Sequence, residues 1–159
     1  MTIRVQEQDF DVGAELARMT DGNHAVGGLC SFVGLVRDMA GEAAISAMTL
    51  EHYPGMTEKA LAEIEAEALA RWPLEATLII HRYGRLEPGD RIVLVAAASA
   101  HREAAFDACH FLIDWLKTQA PFWKLEDTPD GGKWVDARDS DDAAAERWGE
   151  PARKPRAAE

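Results

Sequence analysis

Four cationic side chains are the residues of this chain best suited to chemistry: Lys117 and Lys124, seven positions apart, and the adjacent His101 and Arg102. Lys124 directly follows the apolar run Pro121-Phe122-Trp123. A lysine beside bulky aromatics, with a second lysine close by, gives up its proton more easily and becomes serviceable as a base or nucleophile. His101 and Arg102 fall where a helix begins, a position where cations oppose the helix dipole. The same helix end offers unpaired backbone N–H groups, which together with a guanidinium fork and an imidazole would grip an anion. Each feature also has an ordinary reading. A helix C-terminus favours a lysine for electrostatic reasons alone, and a His-Arg pair at a helix start can be solvated surface.

A single helix must carry these groups. Ala105, Ala108, Leu112 and Trp115 recur at the spacing of a buried helical stripe. Ser99 or Ala100 stands where an N-cap is expected, and Ala120-Pro121 ends the helix because proline cannot continue it. An aromatic strand should follow at once and bring Lys124 back toward Lys117.

The chain has 159 residues, the size of one domain with a substantial core, and its 47% hydrophobic and 28% charged residues are those of a globular protein. A net charge of −11 argues against nonspecific binding to nucleic acid or to an anionic membrane. No apolar run is long enough to cross a bilayer, and MTIRVQEQDF has no hydrophobic signal region, so a cytoplasmic protein is expected. Cys30 and Cys109 lie far apart in apolar segments, without CxxC spacing, and read as buried structural thiols. His24, His52, His81, His101 and His110 show no metal-ligand spacing, and neither GxGxxG nor a phosphate loop occurs.

In chain order, Ile3 and Val5 suit a short strand, and Asp11 caps a helix through Leu16 and Met19 toward Gly22. HAVGGLCSFVGLVR (24–37) reads as a long strand or a bent pair, followed by a loop, DMAGE (38–42), and a strand over 44–53 paired with it. Pro54-Gly55 turns into a helix over 57–72 with Ala60, Leu61, Ile64, Ala68 and Trp72 inward; Glu58, Glu63, Glu65 and Glu67 should face water. Strands over 77–83 and 91–98 precede the central helix, and Asp130-Gly131-Gly132 marks a hairpin after it. A short helix should end near Trp148. The sequence thus divides into a domain over 1–148 and a Pro-containing, disordered tail over 149–159. Hairpins interrupted by two long amphipathic helices indicate an α+β fold with mainly antiparallel sheet.

The collinear pieces GLVRD (34–38), LEHYPGMTEKAL (50–61), HRYGRLEPGD (81–90), SAHREAAFDA (99–108), LKTQAPFWK (116–124) and WVDAR (134–138) resemble the catalytic, large subunit of molybdopterin synthase. The resemblance runs from about residue 3 to Trp148. It implies an α/β-hammerhead fold and a homodimer at the centre of a heterotetramer. A small ubiquitin-like subunit at each end would insert a C-terminal Gly-Gly tail carried as a thiocarboxylate. The implied reaction is sulfur transfer from two such tails to cyclic pyranopterin monophosphate, forming the molybdopterin dithiolene in molybdenum cofactor biosynthesis. No metal or organic cofactor and no catalytic cysteine are implied.

By position, Lys117 and Lys124 match the family's catalytic lysines. Lys117 would assist sulfur attack, and Lys124 would orient the substrate or neutralise developing charge. Arg37, His101 and Arg102 match its anion-binding group, to which Arg138 adds. Leu35, Val36, Leu125 and Glu126 complete the implied substrate-binding set. Leu35 and Leu125 stand where relatives often carry charged residues, which leaves backbone contacts there. The residues alone also allow a different class, a non-catalytic module that binds a ubiquitin-like partner or an anionic ligand. One geometric expectation comes from spacing: His101 and Lys117, sixteen residues apart on one helix, are separated by roughly 24 Å. A single pterin cannot touch both, so a shared site would lie across the dimer interface.

Overall fold

The structure, a computed structural model, describes residues 2–38, 47–128, 131–135 and 139–149. Arg138, most of the loop expected over 38–42 and the tail from 150 onward lie outside the described residues. The fold is α+β, with two four-stranded sheets that are mainly antiparallel.

The first sheet is built on β6 (Arg91–Ser99), which pairs antiparallel with β4 (Leu74–Arg82) on one side and β2 (Gly28–Leu35) on the other. β1 (Ile3–Gln6) adds to β4 in parallel. Burial on both faces explains why RIVLVAAAS reads as a continuous apolar run with no alternation. Alternation is still present in what each residue touches. Ile79, Val93, Val95 and Ala97 meet the long helices α2 (Met56–Arg71) and α3 (Arg102–Gln119), whereas Leu78, Ile80, Leu94 and Ala96 meet α1 (Val12–Thr20) on the other face. The stripe expected on α3 is buried in full, with Ala105, Ala108, Leu112 and Trp115 all inside. Asp11 caps α1 as anticipated, its carboxylate accepting from the Ala14 N–H at 2.9 Å.

The second sheet has the order β5 (Gly84–Leu86), β3 (Ala47–His52), β7 (Phe122–Thr128), β8 (Gly131–Val135). Its buried face gathers Val36, Met48, Leu50 and Leu86. β7 and β8 pair antiparallel from Thr128 opposite Gly131, which has φ 109°; Asp130 of the expected hairpin signal lies outside the described residues. A helix, α4 (Asp139–Glu146), precedes Trp148, whose indole N–H donates to Asp114 on α3 at 2.8 Å. Among the described residues, no helix is long and apolar enough to cross a membrane.

Several expectations are corrected. β3 does not pair with β2. β6 takes β2's partnered edge, and β3 lies in the other sheet between β5 and β7, where Met48 and Leu50 share a core with Leu86. β5, only three residues long, lies between the strands expected over 77–83 and 91–98. The cap of α3 is His101 rather than Ser99 or Ala100. Ser99 ends β6, and its hydroxyl donates to the Pro73 carbonyl at 2.7 Å. Glu65 and Glu67 are half-buried and partnered, by Thr77 and by Arg71. Cys30 and Cys109, remote in sequence, meet in space where β2 passes α3, and burial pushes the Cys109 thiol up. Gly27 permits that passage, because a Cβ there would lie 2.1 Å from the Ala100 carbonyl oxygen.

Candidate active site

β6 leads into α3, and α3 runs back over the sheet in the opposite direction. Its C-terminus therefore lies over the start of β6 and the end of β4, and its N-terminus over the end of β6. This reversal decides which candidate residues meet. His81 follows Ile79 on the α3-facing side of β4 and pairs with Val93 in register. It thus sits under the C-terminal end of α3, where Lys117 is exposed. After Ala120-Pro121 the chain turns straight into β7, and the Phe122 ring stacks on His81 with centroids 3.7 Å apart and planes within 15°. Two residues on, Lys124 projects from the same face of β7 as Phe122, opposite Leu50.

His81 records the result electrostatically. Burial first of all pushes its imidazole down, to about 3, and the positive charges of Lys124, Lys117 and His52 push the same way. A hydrogen bond with the Arg82 carbonyl at 2.8 Å acts in the opposite sense but does not prevail. A neutral ring bonded to a carbonyl must donate through Nδ1. Lys117, Lys124 and His52 therefore converge on one buried neutral histidine.

His52 comes from the end of β3, opposite Phe122. Its ring lies 4.5 Å from Tyr83 and 6.0 Å from Phe122, and its Nδ1 is 3.1 Å from the Thr57 hydroxyl. That hydroxyl donates its one hydrogen to the Tyr53 carbonyl at 2.9 Å. Thr57 therefore accepts from His52, which fixes the proton on Nδ1. Around the strand end, Glu51, His52, Tyr53 and Trp123 line an open cleft of about 240 Å³. Trp123 is 42% exposed and packs edge-on against Tyr53 at 4.5 Å.

The remaining candidates divide between the two ends of α3. Leu35 ends β2 beside the start of β6, and Val36 and Arg37 follow it at the same end as the lysines. Leu35 is exposed, while Val36 is buried, its N–H donating to Asp90 and its carbonyl accepting from Gly89. Glu126 is half-buried on the Lys124 face of β7; Leu125 points to the other face, against Gly132. His101 and Arg102 stand apart, exposed at the far end of α3, and His101 makes no side-chain capping bond. Arg138 lies outside the described residues. Sequence reasoning passed over His52 and His81. The period-two alternation of β4 was the available signal for His81, since it sets that residue on the face of Ile79.

The family model described as MoaE protein matches residues 5–119. The chain is 58% identical to the molybdopterin synthase catalytic subunit of Pseudomonas aeruginosa, across 94% of this chain and 100% of that one. It is 57% identical to the subunit of the same name from Ralstonia nicotianae, across 93% and 84%. Among solved structures, the molybdopterin biosynthesis MoaE protein from Burkholderia ambifaria superposes with a TM-score of 0.81 at 56% identity, covering 94% of this chain and 98% of that one. The molybdopterin synthase structure from Staphylococcus aureus gives 0.79 at 31% identity, covering 86% and 98%.

Proposed function

This chain belongs to the MoaE family, and from that premise we propose that it is the catalytic half of a molybdopterin synthase. It is a sulfur-transferring enzyme of molybdenum cofactor biosynthesis. Its sulfur donor is a small ubiquitin-like subunit bearing a C-terminal Gly-Gly thiocarboxylate, and its acceptor is cyclic pyranopterin monophosphate. A homodimer of this chain carries one small subunit at each end. We place the reaction in the cytoplasm, where both substrates are soluble anions.

The observation that carries this reading is the convergence of Lys117 and Lys124 on His81. Thiocarboxylate and phosphate are both anions, and a protein of net charge −11 can receive them only where cations are concentrated. Lys117 assists sulfur attack by moving a proton or holding the tail. Lys124 orients the substrate and neutralises charge as it develops, and Glu126 shares its face of β7. Arg37, at the same end, binds phosphate or carboxylate.

His101 and Arg102 cannot serve this lysine pair within one chain, since α3 separates them by roughly 24 Å. We therefore assign them to the site of the partner subunit, where they hold the substrate phosphate with Arg138. The decisive experiment mixes this chain with thiocarboxylated small subunit and cyclic pyranopterin monophosphate and quantifies the dithiolene product, with Lys117→Ala alongside. Product from the wild type and its near-total loss in the variant is the expected result. A wild type that binds both components and makes no product would overturn the assignment in favour of a binding module.

A further inference from the structure

The transfer leaves a chemical requirement that the lysines do not meet. Once the thiocarboxylate sulfur has bonded to a pterin carbon, the tail's carbonyl is joined to the pterin as a thioester. For sulfur to stay behind, water must add to that carbonyl carbon and the carbon–sulfur bond must break. The tail then leaves as a carboxylate and the pterin keeps a thiolate. The attacking water loses one proton to a neutral base, and the second leaves to solvent from the carboxylic acid that forms. Primary amines are mostly protonated near pH 7, whereas an imidazole is largely neutral there.

We infer, resting on the function proposed above, that His52 is a catalytic residue and the general base for this hydrolysis. Three observations converge on it. The hydrogen-bond chain His52 to Thr57 to the Tyr53 carbonyl holds the proton on Nδ1, so Nε2 presents a lone pair. His52 borders the open cleft that Glu51, Tyr53 and Trp123 line at the end of β3. Its ring lies 6.0 Å from Phe122, which stacks on His81, so it belongs to the same cluster. His81 is unsuited to the task, being 5% exposed and stacked under Phe122. The arrangement follows a familiar logic, a base held in one tautomer by a group behind it. Here that group is a threonine hydroxyl whose own hydrogen is committed to the backbone.

The test uses the reconstituted complex with thiocarboxylated small subunit and cyclic pyranopterin monophosphate, quenched during the first turnover. His52→Asn keeps an N–H for Thr57 and removes the Nε2 lone pair. It is expected to bind the small subunit as the wild type does, to form product about a hundredfold more slowly, and to accumulate a small subunit–pterin adduct by intact mass. Added imidazole should restore part of the rate to His52→Ala, which a purely structural loss would not allow. Thr57→Val frees the tautomer without emptying the core and should slow the same step about tenfold while the adduct builds up. His52→Asn turning over within about twofold of wild type overturns the proposal. So does a slow variant that shows weakened small-subunit binding and no adduct. A wild type that makes no product refutes the underlying function instead, and that result is read before any variant is compared.

Discussion

The two ends of α3 carry the same kind of side chain in opposite surroundings. At the C-terminal end Lys117 belongs to a constructed cluster: Lys124 arrives on β7, Phe122 stacks on His81, and His52 is fixed by Thr57. The helix dipole also favours a cation there. At the N-terminal end His101 and Arg102 are exposed, the dipole opposes them, and the cap position is held by a side chain that makes no capping bond. One end has the packing of a site that holds its own geometry. The other has the composition of an anion site, with both cationic side chains exposed. On the function proposed above, the N-terminal end is the part of the site that a partner subunit would complete.

Removing Lys117 should cause the largest effect of any change to this comparison. Lys117→Ala is expected to lower product formation by at least about a hundredfold in the reconstituted assay. Lys117→Arg should do nearly as badly, because it keeps the charge and loses the removable proton. Activity retained by the arginine variant would reduce the role of Lys117 to holding an anion.

Joining the ends across two chains is tested next. Lys117→Ala and Arg102→Ala chains, unfolded and refolded together, should yield heterodimers with one site intact and one doubly impaired. Random mixing makes half the dimers mixed, so roughly a quarter of wild-type activity is expected from two nearly inactive parents. A mixture no more active than its parents would mean that the two ends of α3 do not share a site.

These experiments bear on parts of the molecule that were unequally legible in the sequence. The α3 stripe, the Asp11 cap and the Asp130-Gly131-Gly132 hairpin were readable because each depends on residues a few positions apart. The assignment of strands to sheets was not. Alternation in β3 shows that Met48 and Leu50 face inward, but it is silent on whether β2 or β7 lies beside them. Trp123 shows the same limit: an aromatic in an apolar run can face either side of a strand, and here it borders the cleft. Among the candidate residues, the lysines announced themselves through their apolar neighbours and through resemblance. His52 and His81 did not, because their roles arise from Thr57, Phe122 and the lysines, contacts that only the tertiary fold creates.

The lysine end also makes a prediction about stability. His81 titrates near 6.5 when unfolded and at about 3 in the fold, so between these values the unfolded chain binds more protons. The contribution of this ring is complete above pH 6.5 and falls as the pH drops toward 3, by about 1.4 kcal/mol per pH unit. His81→Phe keeps a ring against Phe122 and removes the titration. Denaturant melts at pH 7 and pH 5 should therefore show the variant losing less stability than the wild type over that interval. Equal losses would mean that His81 is not held neutral in the fold, and that its burial does not depress the imidazole.

The smallest effect is expected at the other end, and it separates the two readings of His101. His101 occupies the N-cap with φ −125° and ψ 140°, backbone angles that suit a serine, yet its ring accepts nothing from the first turn. His101→Ser should supply the missing bond and stabilise the protein by about 0.5–1 kcal/mol, seen as a higher midpoint in denaturant. If His101 serves the substrate phosphate, the same change should raise the KM for the pterin substrate by about tenfold and alter kcat less. A sequence that keeps a weaker cap at this position is then trading helix stability for anion binding. A variant that is more stable and fully active would leave His101 as a poor cap and nothing more, and Arg102 alone would have to carry the phosphate.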